Sequence, residues 1–139
     1  MGEIMKQTVF AMVFVLVTLS MVVFAQDTRN ESVRFAPGTS SETIKETITG
    51  YQSVNYKLGA KAGQHMVVVL KTDNSSNYFN IFVPGKGPGD EAIFIGSTLG
   101  DRYDGTLSAD GEYTVQVYLM RNAARRNEKA NYTLEIGID

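Results

Sequence analysis

LSADGEYTVQVYLMRNAARRNE, Leu107 to Glu128, sets a tight turn, an alternating strand and an arginine-rich loop end to end. Tyr113, Val115, Val117 and Leu119 recur at period two, the pattern of a half-buried β-strand. Its ends present Asp110-Gly111 on one side and Arg121 to Arg126 on the other. Tyr and Arg are the residue types that most often dominate protein interfaces, so the stretch predicts a binding surface and not a catalytic pocket.

Working outward, the same period continues in both directions. Ile44 and Ile48 sit in a Thr-rich segment, and after a Gly50-Tyr51-Gln52 turn Val54, Tyr56 and Leu58 alternate with Asn55 and Lys57. His65 to Leu70 reads as a central strand covered on both faces, with Met66, Val68 and Leu70 toward the core. Tyr78 to Val83, Ala92 to Ser97 and Tyr103 to Leu107 follow as further strands, and Tyr132, Leu134, Ile136 and Ile138 alternate most cleanly of all. Ala123 to Arg126 favours helix but is too short to nucleate one, so at most a single turn is expected there. The pattern is all-β, a single antiparallel β-sandwich of about eight or nine strands.

Residues 1–25 stand apart from that pattern. Lys6 precedes an apolar run from about Val9 to Phe24 that closes on Val23-Phe24-Ala25, with the small residue where a signal peptidase prefers it. The run is roughly 16 residues long, short of the ~20 a membrane-spanning helix needs. A cleaved signal peptide over 1–25 is expected, followed by a flexible polar leader over 26–32 (QDTRNES) and the sandwich over 33–139. The mature chain of about 114 residues suffices for one core. With no cysteine in the chain, thiolate chemistry, disulfides and a lipid anchor drop out together, and no stable membrane association is expected after cleavage. A net charge of −2 argues for neither nucleic acid nor an anionic membrane as partner.

Candidate chemistry is sparse. The single histidine, His65, starts an apolar strand and reads as an exposed strand residue, not a base. One imidazole without cysteines makes no metal site, and no cofactor is expected. Asp101 with Asp104, or Asp90 with Glu91, could serve glycoside hydrolysis only across a cleft with one raised pKa, and solvated loop acids are the simpler reading. Gly85, Gly87 and Gly89 form a loop with no helix behind it to cradle phosphate. Arg121, Arg125 and Arg126, with Tyr118, suit a carboxylate-lined protein surface, a phosphate, or simply water.

Four collinear segments then carry a resemblance: FAPGTSS (Phe35 to Ser41), TGYQSVNYKLGAKAGQ (Thr49 to Gln64), ADGEYTVQV (Ala109 to Val117) and MRNAARRN (Met120 to Asn127). Together they resemble the bacterial periplasmic inhibitors of invertebrate-type (i-type) and goose-type (g-type) lysozymes. The GY…Y…AKAGQ and DGEY pieces are shared with pre-peptidase C-terminal β-sandwich modules, and only MRNAARRN favours the inhibitors. The resemblance implies a non-catalytic periplasmic β-sandwich that blocks lysozyme by placing loops in its active-site groove. The i-type branch is the one favoured. It also implies partner-binding roles for Gly111 and Tyr113 in a turn, and for Arg121, Asn122 and Arg125, with Arg126 adjacent, in a loop. Asp110 stands where those inhibitors carry serine, and would meet like charge among lysozyme's carboxyl groups. Three arrangements are open: Asp110 pairs with a base on the enzyme rim, Tyr113 and turn N–H groups supply the hydrogen bonds, or Ser108 supplies the hydroxyl. Tyr113 is expected to carry more binding energy than the arginines. The alternative function is a non-catalytic envelope-binding or glycan-binding module.

Overall fold

The computed structural model describes residues 27–139 together with Val15, Leu16 and Thr18. Apart from those three positions, the expected signal peptide lies outside the described residues, as does its cleavage point before Gln26.

Nine strands form two sheets. One holds β1 (Thr28–Ser32), β3 (Ser53–Ala60), β8 (Gly111–Leu119), β5 (Asn77–Phe82) and β6 (Phe94–Ile95), in the spatial order β1-β3-β8-β5-β6. The other holds β2 (Ser41–Thr49), β9 (Lys129–Ile138), β4 (His65–Thr72) and β7 (Arg102–Thr106), in the order β2-β9-β4-β7. Two short helices, α1 (Gly96–Leu99) and α2 (Arg121–Arg125), bridge β6 to β7 and β8 to β9. The expected all-β sandwich is what forms. All pairings are antiparallel except that of β1 with β3, which is parallel.

The core follows the alternation. Val54, Tyr56 and Leu58 from β3, Phe79 and Ile81 from β5, and Tyr113, Val115 and Val117 from β8 meet Met66, Val68 and Leu70 from β4 and Tyr132, Leu134 and Ile136 from β9. Inside it the Tyr56 and Tyr132 hydroxyls lie 2.6 Å apart, a hydrogen bond that ties the sheets together. Burial raises the pKa of both phenols, so both stay neutral. At the seam outside this pair, Arg29 bonds Glu31 at 2.7 Å on its own strand and reaches Glu46 on β2 at 3.3 Å.

Three expectations need correction. Residues 28–32, read as part of a flexible leader, are strand β1; their order comes from backbone pairing to β3 and the Arg29 ion pairs, neither of which needs apolar side chains. Strand β4 buries only Met66, Val68 and Leu70, while His65, Val67 and Val69 on its other face are half-exposed because no layer covers that sheet from outside. The strand expected from Ala92 to Ser97 shrinks to Phe94–Ile95, since Gly96 turns the chain into α1 with its Cα against the Phe79 backbone. A Cβ there would sit 2.4 Å from the Phe79 carbonyl oxygen.

Candidate functional site

Strand β8 runs between two poles of the sandwich, and the residues singled out from the sequence divide between them. At its start, Asp110 Oδ1 accepts a hydrogen bond of 2.7 Å from the Ala62 N–H and thereby closes the β3–β4 turn. Gly111, at φ 133°, packs against Pro84, where a Cβ would come within 2.8 Å of the proline ring. Tyr113 is fully buried; its hydroxyl donates to the Ala109 carbonyl at 2.8 Å and accepts from the Ala109 N–H at 3.2 Å. The expectation that Tyr113 meets a partner is therefore corrected. It shares a face with Val115 and Val117, so it packs inward and its hydroxyl fixes the turn. Ser108 is exposed nearby.

The far pole gathers three loops. Chain after β8 turns through α2 and returns as β9, with the Asn127 N–H bonded to the Ala124 carbonyl and the Glu128 N–H to the Ala123 carbonyl. Ala123 and Ala124 are buried, which points Arg121, Asn122, Arg125 and Arg126 outward. The β2–β3 turn docks on this loop: Gly50 donates to the Glu128 carbonyl at 2.9 Å and, at φ 62°, lies so close that a Cβ would meet Asn127 Oδ1 at 2.7 Å. The β4–β5 loop joins them through Met120 N–H to the Ser76 carbonyl and Asn74 Nδ2 to Glu128 Oε1. Asp73 accepts two hydrogen bonds from Asn131, at 2.8 and 2.7 Å.

On this cross-bonded base the charges are uneven. Arg126 pairs with Glu128 at 2.6 Å. Its hydrogen bond, with a second from Asn74, holds the Glu128 carboxyl below its ordinary pKa. Hydrogen bonds from Asn131 do the same for Asp73. Arg125 bonds only the amide oxygen of Asn122, at 3.0 Å, and neither it nor Arg121 has an acidic partner among the described residues. Two large side chains stand exposed beside them, Tyr51 at 49 % and Met120 at 40 %. A concavity of about 330 Å³ opens between Tyr51, Gln52, Ser53, Gln116, Tyr118 and Arg121. Tyr118 is half-buried on its wall and donates to Asn80 Oδ1 at 3.1 Å. Tyr51 was missed from the sequence: it lies seventy residues before Arg121, and its only signal was a place in the Gly50-Tyr51-Gln52 turn.

Other clusters offer less. The larger concavity on the outer face of the four-stranded sheet, about 650 Å³, is wide open, and the Thr47, Asn131 and Asp73 groups lining it are bonded to one another. Asp104 is held by His65 and Arg102, which keep its carboxyl below the ordinary range, the opposite of what a general acid requires. No group of three or more metal-ligating side chains occurs among the described residues.

A β-sandwich whose bonded loops present unpaired arginines and an exposed tyrosine defines a protein-binding module. No family model matches the chain. A curated relative, the inhibitor of g-type lysozyme of Escherichia coli (strain K12), is 30 % identical over 110 residues, 79 % of this chain and 81 % of the relative. The chain belongs to that family of lysozyme inhibitors. Among solved structures, the periplasmic inhibitor of g-type lysozyme (PliG) of Aeromonas hydrophila superposes with a TM-score of 0.75 at 40 % identity, over 81 % of this chain and 98 % of that one. The pre-peptidase C-terminal domain of a Bacillus anthracis collagenase shares the fold, with a TM-score of 0.51 at 13 % identity over 82 % and 96 % of the two chains. The family is one of periplasmic inhibitors, which agrees with the expected location and non-catalytic character. It is also the g-type branch, and the preference for the i-type branch drawn from the sequence is corrected accordingly.

Proposed function

We propose that this protein inhibits g-type lysozyme by seating the pole of Tyr51, Met120, Arg121 and Arg125 against the enzyme. The observation that carries the reading is the pair of arginines without acidic partners beside an exposed tyrosine. Lysozyme's groove contains carboxyl groups, and guanidinium forks pair with carboxylates in bidentate fashion. Hydrogen bonds among the three supporting loops leave little ordering entropy to lose on association. The names of the relatives support the g-type enzyme as the target. Asp110 is engaged by its own turn, at the other end of a nine-residue strand and so roughly 30 Å away. Its carboxylate then has no place in the groove, and the like-charge conflict does not arise.

The test is inhibition of purified g-type and i-type lysozymes by the mature protein and its variants. Tyr51→Ala, and the double change Arg121→Ala with Arg125→Ala, should each weaken g-type inhibition by about tenfold or more, the size of an interface anchor. Asp110→Ala should leave it within about twofold. Equal losses from both poles, or inhibition of the i-type enzyme alone, would overturn the assignment.

A further inference from the structure

The outer face of the five-stranded sheet carries a row of amides that the inhibitor reading does not use. Strand register places Asn30 on β1 beside Asn55 on β3, Asn55 beside Gln116 on β8, Gln116 beside Asn80 on β5, and Asn80 beside Ile95 on β6. Four side-chain amides therefore stand in line across four adjacent strands, and an exposed isoleucine ends the line. Five strands at a spacing of about 4.8 Å make the row roughly 19 Å long. Within the row there is neither carboxylate nor cation.

Its hydrogen-bonding capacity is not used up internally. Asn55 donates to Asn30 Oδ1 at 3.1 Å, yet its own Oδ1 is buried and has no partner. Asn55 is 7 % exposed, so this oxygen sits in the floor of the row. One register step away Tyr118 lies opposite Tyr78, both half-buried, beside the 330 Å³ concavity that opens at Gln116. Aromatic rings next to uncharged groups that both donate and accept define a chemistry: a ligand with apolar ring faces and many hydroxyls.

The geometry points to a binding site for a neutral pyranose oligosaccharide laid across the strands on the row Asn30, Asn55, Gln116 and Asn80. Each step between strands is on the scale of one sugar ring. Primary amides can meet a hydroxyl as donor and as acceptor at once, which matches a ligand whose every substituent does the same. A peptide fits less well, because extended peptides add to sheet edges through their backbone and this row lies on a face. The site is independent of the proposed inhibition: it occupies the sheet face, and its test contains no lysozyme.

The test is an NMR titration of the ¹⁵N-labelled mature protein, following the side-chain amides of Asn30, Asn55, Asn80 and Gln116. Cellotetraose and chitotetraose, at millimolar concentration, serve as the bare and the N-acetylated neutral chain. Shifts of these amides with either sugar are expected, and the stronger responder identifies whether the acetamido group is read. Gln116→Ala should weaken the response about fivefold, the loss of one or two neutral hydrogen bonds, with an unchanged melting temperature. No shift with either sugar, shifts confined to other surfaces, or an unaltered response in Gln116→Ala would each overturn the site.

Discussion

Tyr56 and Tyr132 meet hydroxyl to hydroxyl at the centre of the sandwich, and each is the other's only side-chain partner there. Removing one hydroxyl strands its mate in a dry site at about 1–3 kcal/mol, whereas removing both leaves nothing unsatisfied. Tyr132→Phe should therefore lower stability by about that amount, and the double change Tyr56→Phe with Tyr132→Phe should recover most of it, read by urea unfolding. A simple sum of the two single losses would show that the pair is not coupled. Tyr113 teaches a different lesson at this scale. Its place at period two with Val115 and Val117 was legible in the sequence and marked it as core, yet the motif resemblance suggested a contact residue. Parity within a strand is enforced by the pleat and holds wherever one face is buried. Truncating Tyr113 removes core volume and is no probe of an interface.

Between elements, the loops of the arginine pole are pinned by carboxylates whose pKa values are lowered in the fold, Glu128 by Arg126 and Asn74, and Asp73 by Asn131. A lowered folded pKa means the contribution is present above the unfolded value, about 4, and is lost as pH falls through the folded one. On acidification below about pH 4, amide exchange at Met120 and Asn131 should rise before exchange in the β3 and β8 core does. Simultaneous loosening of loops and core would refute this order. At this scale the strand positions and the single turn of α2 were legible, because alternation and helix propensity are local. Strand β1 was not, since Thr28 to Ser32 carries no buried apolar face and is ordered by a distant strand. The amide row and the approach of Tyr51 to Arg121 were hidden for the same reason: both depend on which strands become neighbours, and register across a sheet is not written in any one segment.

For the molecule as a whole, the two arginines and the Asp110 turn stand at opposite poles because one strand of nine residues connects them. Poles that far apart should be separable by mutation, with energetic effects that add. The order of strands has a further consequence, in time. Strand β2 has a single neighbour in its sheet, β9, and β9 also separates β2 from β4. A chain emerging N-terminus first on the far side of a membrane thus holds β2 without a partner until nearly its last residues have appeared. Sheets built from such distant pairings form slowly, in milliseconds to seconds. A chain shortened at Glu128 should have no cooperative melting transition, and one that melts like the full protein would contradict the dependence on β9. While it waits, the half-delivered chain is prey to proteases and to pairing with its own kind, so delivery of the final ten residues is the event that makes the protein durable.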